Sequence, residues 1–315
     1  MKMKAIATSL ALALSSGSSA MAQDRMTDAQ CGASLDVVAQ MMGVPDMGLD
    51  FRADDQGWCL INEAAFSVSG QQQLKIASLR WRATDIARFI DDGLPPRVFE
   101  VEGKGFGMSV ETGDPVFDYL FGLQSSVANS GFGLSIRWDG VQSTVHIDTA
   151  YIDFFADNRV EATGLIDGVD LTDMATIETS LGTMGLRDLT VESDMNGWFE
   201  AYVAMPLGMA ILDQDGDVPN VQVMALQQQA IDVVDKLPDI IVPPASRNAL
   251  GAFITDLPSP RGKAQLQLSA DPSLGMMRFA PFALMSQEPT IDQIVELGLN
   301  NVALLFTWTP QGDNE

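Results

Sequence analysis

Period-two runs of apolar residues set the strongest limit on what this chain can fold into. Phe132, Leu134, Ile136 and Trp138 alternate with Gly133, Ser135 and Arg137, the spacing of a strand with one dry and one wet face. Asp139-Gly140 reads as a two-residue turn, because glycine tolerates the positive φ such turns need. The return strand alternates again, with Val141, Val145 and Ile147 against Gln142, Thr144 and His146. Folding about that turn pairs Trp138 with Val141, Leu134 with Val145 and Phe132 with Ile147, all on one face. Asp157-Asn158 marks the next turn, between strands at 151–155 and 159–166. The expected unit is an antiparallel meander with one solvated face.

Further strands are expected at Leu74–Arg82, Val98–Glu102, Leu186–Glu192, Gln265–Ala270 and Val302–Thr309. Helical spacing separates them. Asp114-Pro115 opens a helix bearing Val116, Leu120, Leu123 and Val127. Val223, Leu226, Ala230, Val233 and Leu237 form a stripe opposite Gln227-Gln228-Gln229. Thr290 and Gln293 form a capping box before Ile291, Ile294 and Val295, and Gly298 ends that helix. The three prolines between Pro238 and Pro244 mark an internal break or hinge. The fold class that follows is α+β: a curved, mainly antiparallel sheet with helices packed on one face and a disulfide-tied N-terminal cap. Residues 1–22 form a leader, 23–62 the cap and 63–315 the α+β body. Ser34 is expected to cap a short helix in the cap, with Leu35, Val38 and Met42 on one face. Strand–helix echoes at 74–91 and 185–204 suggest two similar halves breaking near 170–185, with chance similarity as the alternative.

The leader has the form of a secretory signal peptide. Lys2 and Lys4 precede an apolar stretch from Ala5 to Leu14, and Ala20-Met21-Ala22 supplies a small-x-small cleavage site before Gln23. Export makes a disulfide the simplest reading of Cys31 and Cys59, the only cysteines. Their loop of about 30 residues is worth ~3–4 kcal/mol in the chain-entropy model. The net charge of −24 repels phosphate backbones, so nucleic acid is not an expected partner. No apolar run after residue 22 reaches the roughly 18 residues that span a bilayer, so no transmembrane segment is expected in the mature chain. The expected address is the periplasm, with secretion second.

Catalytic motifs are scarce. One histidine, His146, excludes a multi-histidine metal site, and it would have to serve any Ser-His-Asp hydrolase, for which no Gly-x-Ser-x-Gly elbow exists. It is expected mid-strand on the polar face, opposite Gly133. Gly103-Lys104-Gly105-Phe106-Gly107 lacks the context of a phosphate loop and reads as a strand bulge or kink. Asp213, Asp215 and Asp217 match the start of an EF-hand calcium loop, but Val218 replaces the turn glycine and Met224 the closing glutamate. They are weak calcium candidates beside the plainer reading of a solvated acidic turn. No other metal ligand, catalytic residue or cofactor is expected. The 42 acidic residues leave room for a hydrolase using paired carboxylates. Apolar residues make up 46% of the chain, including 17 methionines that can fill a core or line an adaptable cleft.

Gly185-Leu186-Arg187-Asp188-Leu189-Thr190-Val191, then Gly197-Trp198-Phe199, together with 262–272, the helix at 291–297 and the strand at 302–308, resemble in style AsmA-like proteins of the Gram-negative periplasmic envelope. The resemblance covers about half the chain and transfers no functional residue. The N-terminal membrane anchor usual in those proteins is replaced here by the leader. The resemblance implies lipid handling or envelope maintenance. The expected function is a non-enzymatic exported envelope protein binding an apolar ligand (a lipid) or a protein partner. The alternative is the carboxylate hydrolase. Protein isolated from its native envelope should begin at Gln23 with Cys31 and Cys59 joined, as read by intact mass. An unprocessed cytosolic precursor with both thiols reduced would overturn the export reading.

Overall fold

The computed structural model describes residues 25–43, 48–69, 72–110, 113–119, 130–213, 216–283, 290 and 293–312. Residues 1–22, expected to form a leader, and Asp215, Ile291 and the positions Leu120, Leu123 and Val127 lie outside them. Ten strands form one open antiparallel sheet: β1 (Phe51–Ala53), β2 (Cys59–Ser69), β3 (Gln72–Thr84), β4 (Val98–Val110), β5 (Gly131–Asp139), β6 (Thr144–Asp153), β7 (Arg159–Asp167), β8 (Gly185–Asn196), β9 (Arg261–Gly275) and β10 (Val302–Pro310). Their order in the sheet is their order in the chain. Every strand thus pairs with its sequence neighbours, the shortest connection available. Helices occupy the connections, so the class is α+β. Helix α1 (Asp28–Met42) precedes the sheet and α2 (Ala87–Asp92) joins β3 to β4. Across 170–185 the sheet is continuous, since β7 and β8 pair from Arg159↔Asp194 to Asp167↔Gly185. The cap also merges with the sheet, because residues 62 and 63 lie inside β2.

The register carries one apolar face through the strands. Val101 opposes Leu134, Leu134 opposes Ala150, Ala150 opposes Ala162 and Ala162 opposes Val191. Val191 in turn opposes Leu266, which opposes Phe306. Three adjacent strands, β2, β3 and β4, change phase together. Apolar positions run Cys59, Ile61 and then Ala64 in β2; Trp81, Leu79 and then Ile76 in β3; Phe99, Val101 and then Phe106 in β4. Each run changes parity at the same row, where Glu63 (φ 55°), Ala77 and Gly105 (φ 63°) lie. The left-handed residues Glu63 and Gly105 each use up one position without turning the next side chain over, and β3 changes parity between them at Ala77. The kink therefore keeps Ala64, Ile76 and Phe106 in the same core as Ile61 and Trp81. This is the structural role of the glycine-rich 103–107 run.

The first hairpin forms with a different register. Trp138 opposes Val145 and Ile136 opposes Ile147, so residues 140–143 make a longer turn than Asp139-Gly140 alone. Asp139 Oδ1 accepts the Val141 and Gln142 N–H groups at 2.9 and 3.2 Å, and Ser143 (φ 52°), not Gly140, takes the left-handed position. A shift of four residues is even, so Val145 and Ile147 keep their face, whereas Val141, expected opposite Trp138, lies exposed in the turn. Asp148 then bulges between the Ile147 and Thr149 pairings, which brings Ala150 and Ile152 onto that face. His146 consequently lies opposite Arg137 instead of Gly133.

Buried residues gather at the two lateral ends of the sheet. Met26, Cys31, Cys59, Ile61, Trp81 and Ala83 anchor one cluster, and Met195, Ala264, Phe306 and Trp308 the other. The second is covered by Leu250 and Phe253 of the Pro244–Asp256 helix. That helix is held from an unexpected direction: Gln227 Nε2 donates to the carbonyls of Ile254, Thr255 and Leu257 at its end. The proline-rich 238–244 segment is packed, not a free hinge. Ile241 and Val242 are buried, and Leu304 N–H donates to Ile241 O at 2.7 Å. Between the clusters, Leu134, Ile147, Ala162, Val191 and Leu268 on the apolar face are only half-buried.

The opposite face is ionic. Arg80 pairs with Glu102 at 2.6 Å and Arg82 with Glu100 at 2.7 Å, both guanidiniums 4.4 Å from the Trp58 ring centroid. These part-buried pairs, stacked on Trp58, line up the polar face of the sheet. The kink is the more sensitive element. A Cβ on Gly105 would stand 2.7 Å from Ala77 Cβ in a φ that β-branched residues avoid. Gly105→Val should lower stability by about 2 kcal/mol or more in urea denaturation. An unchanged midpoint would show that the row does not set the parity switch.

Candidate functional site

A cleft of about 480 Å³ opens between α1, α2 and the apolar face of β3, β4 and β5. Two covalent or polar ties seat α1. Cys31 is joined to Cys59 at the start of β2, with Cα atoms 5.6 Å apart. Asp28 Oδ1 accepts the Ala53 N–H of β1 at 2.5 Å. The helix begins at a capping box made by Thr27 and Gln30, seven residues before the expected Ser34 cap. Ser34 is instead buried within the helix. Its hydroxyl donates to Cys31 O at 2.9 Å and accepts the Trp81 indole N–H at 3.2 Å. Helix α2 is bounded by two left-handed residues, Asp85 (φ 63°) and Gly93 (φ 68°), and Asp85 pairs with Arg97 at 3.3 Å. Its Arg88 guanidinium lies 4.9 Å from the Trp138 ring and donates to Leu171 O, which fixes the helix against the sheet end.

The lining follows from these placements. Leu35, Val38 and Met41 of α1 face Ile86 and Phe89 near α2, above Leu79, Trp81, Phe99, Val101 and Ile136 of the sheet. Pro95 and Pro96 form part of the rim. The polar side-chain groups of the lining are the Ser34 hydroxyl and the Trp81 indole N–H, which are bonded to each other, with Ser34 also donating to Cys31 O. The cleft therefore offers a ligand no charge and no free hydrogen-bonding side chain. Its volume lies in the roughly 300–1,000 Å³ range of small-molecule sites. Each methylene buried there is worth about 0.8 kcal/mol. Chemically, the cleft can hold an apolar chain and can do little else.

The sequence matches no protein-family model and no curated protein.

The other candidate residues lie elsewhere. Asp213 and Asp217 flank the helix Pro219–Asp235, where Gln222 Nε2 donates to both their carbonyl oxygens at 2.9 and 2.6 Å. Among the described residues no group of three or more His, Cys, Asp or Glu side chains could hold a metal ion. His146 Nε2 is 3.5 Å from Thr144 Oγ1 on the polar face. Asp54 Oδ1 accepts the N–H groups of Gln56 and Trp58, as a turn residue does. Among the methionines, Met41 lines the cleft.

Acids do converge on the polar face. Glu161 and Glu192 oppose each other across β7 and β8 in a trench of about 380 Å³ that also holds Asp194. Each has a partner: Arg159 to Glu161 at 2.9 Å, Gln265 to Glu192 at 2.7 Å and Lys263 to Asp194 at 2.9 Å. Nearby Tyr151 lies under Arg159, with its pKa raised by burial and by Glu102 and Asp153. The trench is thus a network of cross-strand ion pairs and hydrogen bonds on the polar face.

The cleft wall has one polar dependency. Ser34→Ala removes the acceptor of the buried Trp81 indole, and should cost about 1–3 kcal/mol. Trp81→Phe should remove most of that penalty in a double-mutant cycle followed by urea denaturation. Additive effects would mean that the hydroxyl does not hold the indole.

Proposed function

We propose that this chain is a non-enzymatic exported protein of the cell envelope, residing in the periplasm, that binds an apolar ligand through the cleft beneath α1. A lipid acyl chain fits the chemistry best. The observation carrying this reading is a small-molecule-sized cleft whose polar side-chain groups, on Ser34 and Trp81, are already hydrogen-bonded to each other. In this reading the helices cover the apolar sheet face in part, and the half-buried residues between the two covered ends extend the surface available to a long chain. The leader, the Cys31–Cys59 disulfide and the stylistic resemblance to AsmA-like envelope proteins support the address and the lipid class. Among the described residues no helix is long and apolar enough to cross a membrane.

A second reading, a hydrolase using paired carboxylates, draws on the cross-strand pair Glu161 and Glu192. It is disfavoured because both carboxylates are already engaged, Glu161 by Arg159 and Glu192 by Gln265, on an open polar face.

Fluorescence titration with cis-parinaric acid tests the proposal. The oxidised chain should bind saturably. Val38→Glu, which places a charge at a partly exposed position of the lining, should weaken binding at least tenfold with little change in stability. Absence of saturable binding, or equal binding by the variant, would overturn the assignment.

A further inference from the structure

We propose that residues 201–212 form a membrane-inserting lip that docks the protein onto an uncharged lipid surface. The run Ala201–Leu212 contains no charged residue. It folds as a π-helical turn over Glu200–Ala204 followed by a helix over Met205–Ile211. Tyr202, Met205, Leu207, Met209 and Ile211 are each between 44% and 72% exposed. Exposure on this scale, concentrated in one short segment, marks a surface meant to be covered.

The pattern of exposure identifies the cover. Positions 202, 205 and 209 share one side of a helix, whereas 207 and 211 lie roughly opposite. A groove on a protein partner takes one stripe of a helix. A segment exposing apolar side chains on opposing sides is satisfied by immersion in an apolar medium. At ~1.5 Å per residue the segment is about 18 Å long, too short to span a bilayer and suited to lying in its interface.

Charge narrows the lipid class. No lysine or arginine occurs between Arg187 and Lys236, while Asp213 and Asp217 follow the run directly. The one acid at its start, Glu200, pairs with Arg261. An anionic surface would repel this region, so the surface is zwitterionic or neutral. Aromatic contacts hold the lip at the end of the sheet. Phe154 packs against Trp198 at 5.6 Å and Tyr202 at 5.2 Å, and Trp198 donates to Ser193 of β8 at 3.2 Å. Trp198 also packs against the buried cluster of Met195, Ala264, Phe306 and Trp308 on the apolar face. The lip thus begins where that face ends.

Flotation with phosphatidylcholine vesicles tests this inference on the full oxidised chain. The wild type should float with the vesicles, and replacing a third of the lipid with phosphatidylglycerol should reduce the bound fraction. Met205→Asp/Met209→Asp should reduce partition at least tenfold, whereas Met205→Leu/Met209→Leu should retain it. Circular dichroism should show the same fold in all three. Failure of the wild type to float, or equal flotation of the aspartate variant, would overturn the lip. A wild-type dimer that the aspartates convert to monomer, without vesicle binding, would also overturn it and assign the segment to self-association. The cleft is untouched by these variants. Parinaric acid binding without flotation would remove this inference alone, and flotation without parinaric acid binding would leave it standing.

Discussion

A single layer of ten strands can bury one face only if every strand keeps its side chains in phase with its neighbours. The period of a strand is two, so one unpaired residue anywhere turns all that follow to the wrong side. This chain meets the constraint with local corrections placed in register. Glu63, Ala77 and Gly105 form one row across β2, β3 and β4, and Asp148 performs a similar correction in β6. The two-faced character of the molecule rests on these few positions. Ion pairs decorate one side, and both cores and the cleft lie on the other.

The cleft is a consequence of how the first core closes. The disulfide and the Asp28–Ala53 hydrogen bond fix α1 at its N-terminal turn. Ser34 then pins the next turn to Trp81. Further along the helix Ala39 stays buried, while Val38 and Met41 on the cleft side are more exposed, at 36% and 65%. The cleft thus runs along the flank of a helix whose other side is packed. The same ties that stabilise the cap create the opening.

Much of this architecture is legible in the sequence, and the limits are physical. Alternation at Phe132–Trp138 identifies the strand and its dry face, because side-chain period is a local property. The turn that follows it is less legible. Asp139 can cap its own turn through two N–H groups, and that outcome competes with the two-residue Asp139-Gly140 turn on nearly equal local terms. Leu35 and Val38 read correctly as one stripe, but Ser34 reads as a cap because serine favours that place. Its actual partner, Trp81, is distant in the chain. The β2–β4 parity switch is visible in retrospect as a change of apolar spacing at the same row. Gln227 shows the opposite case: a residue expected on a polar helix face receives its role from the carbonyls of another helix.

The two borders of the sheet are unlike. On the β10 side, the amides of Leu304 and Phe306 are already taken by Ile241 O and Ser246 Oγ, so a helix and its preceding turn stopper that border. On the other side, β1 covers just Cys59–Ile61 of β2. Among the described residues, the remainder of β2 meets no further strand outside it. Strand addition by another chain is thereby restricted to one border. Two molecules could join there back to back and stop, whereas an endless head-to-tail ribbon would require the stoppered border to open.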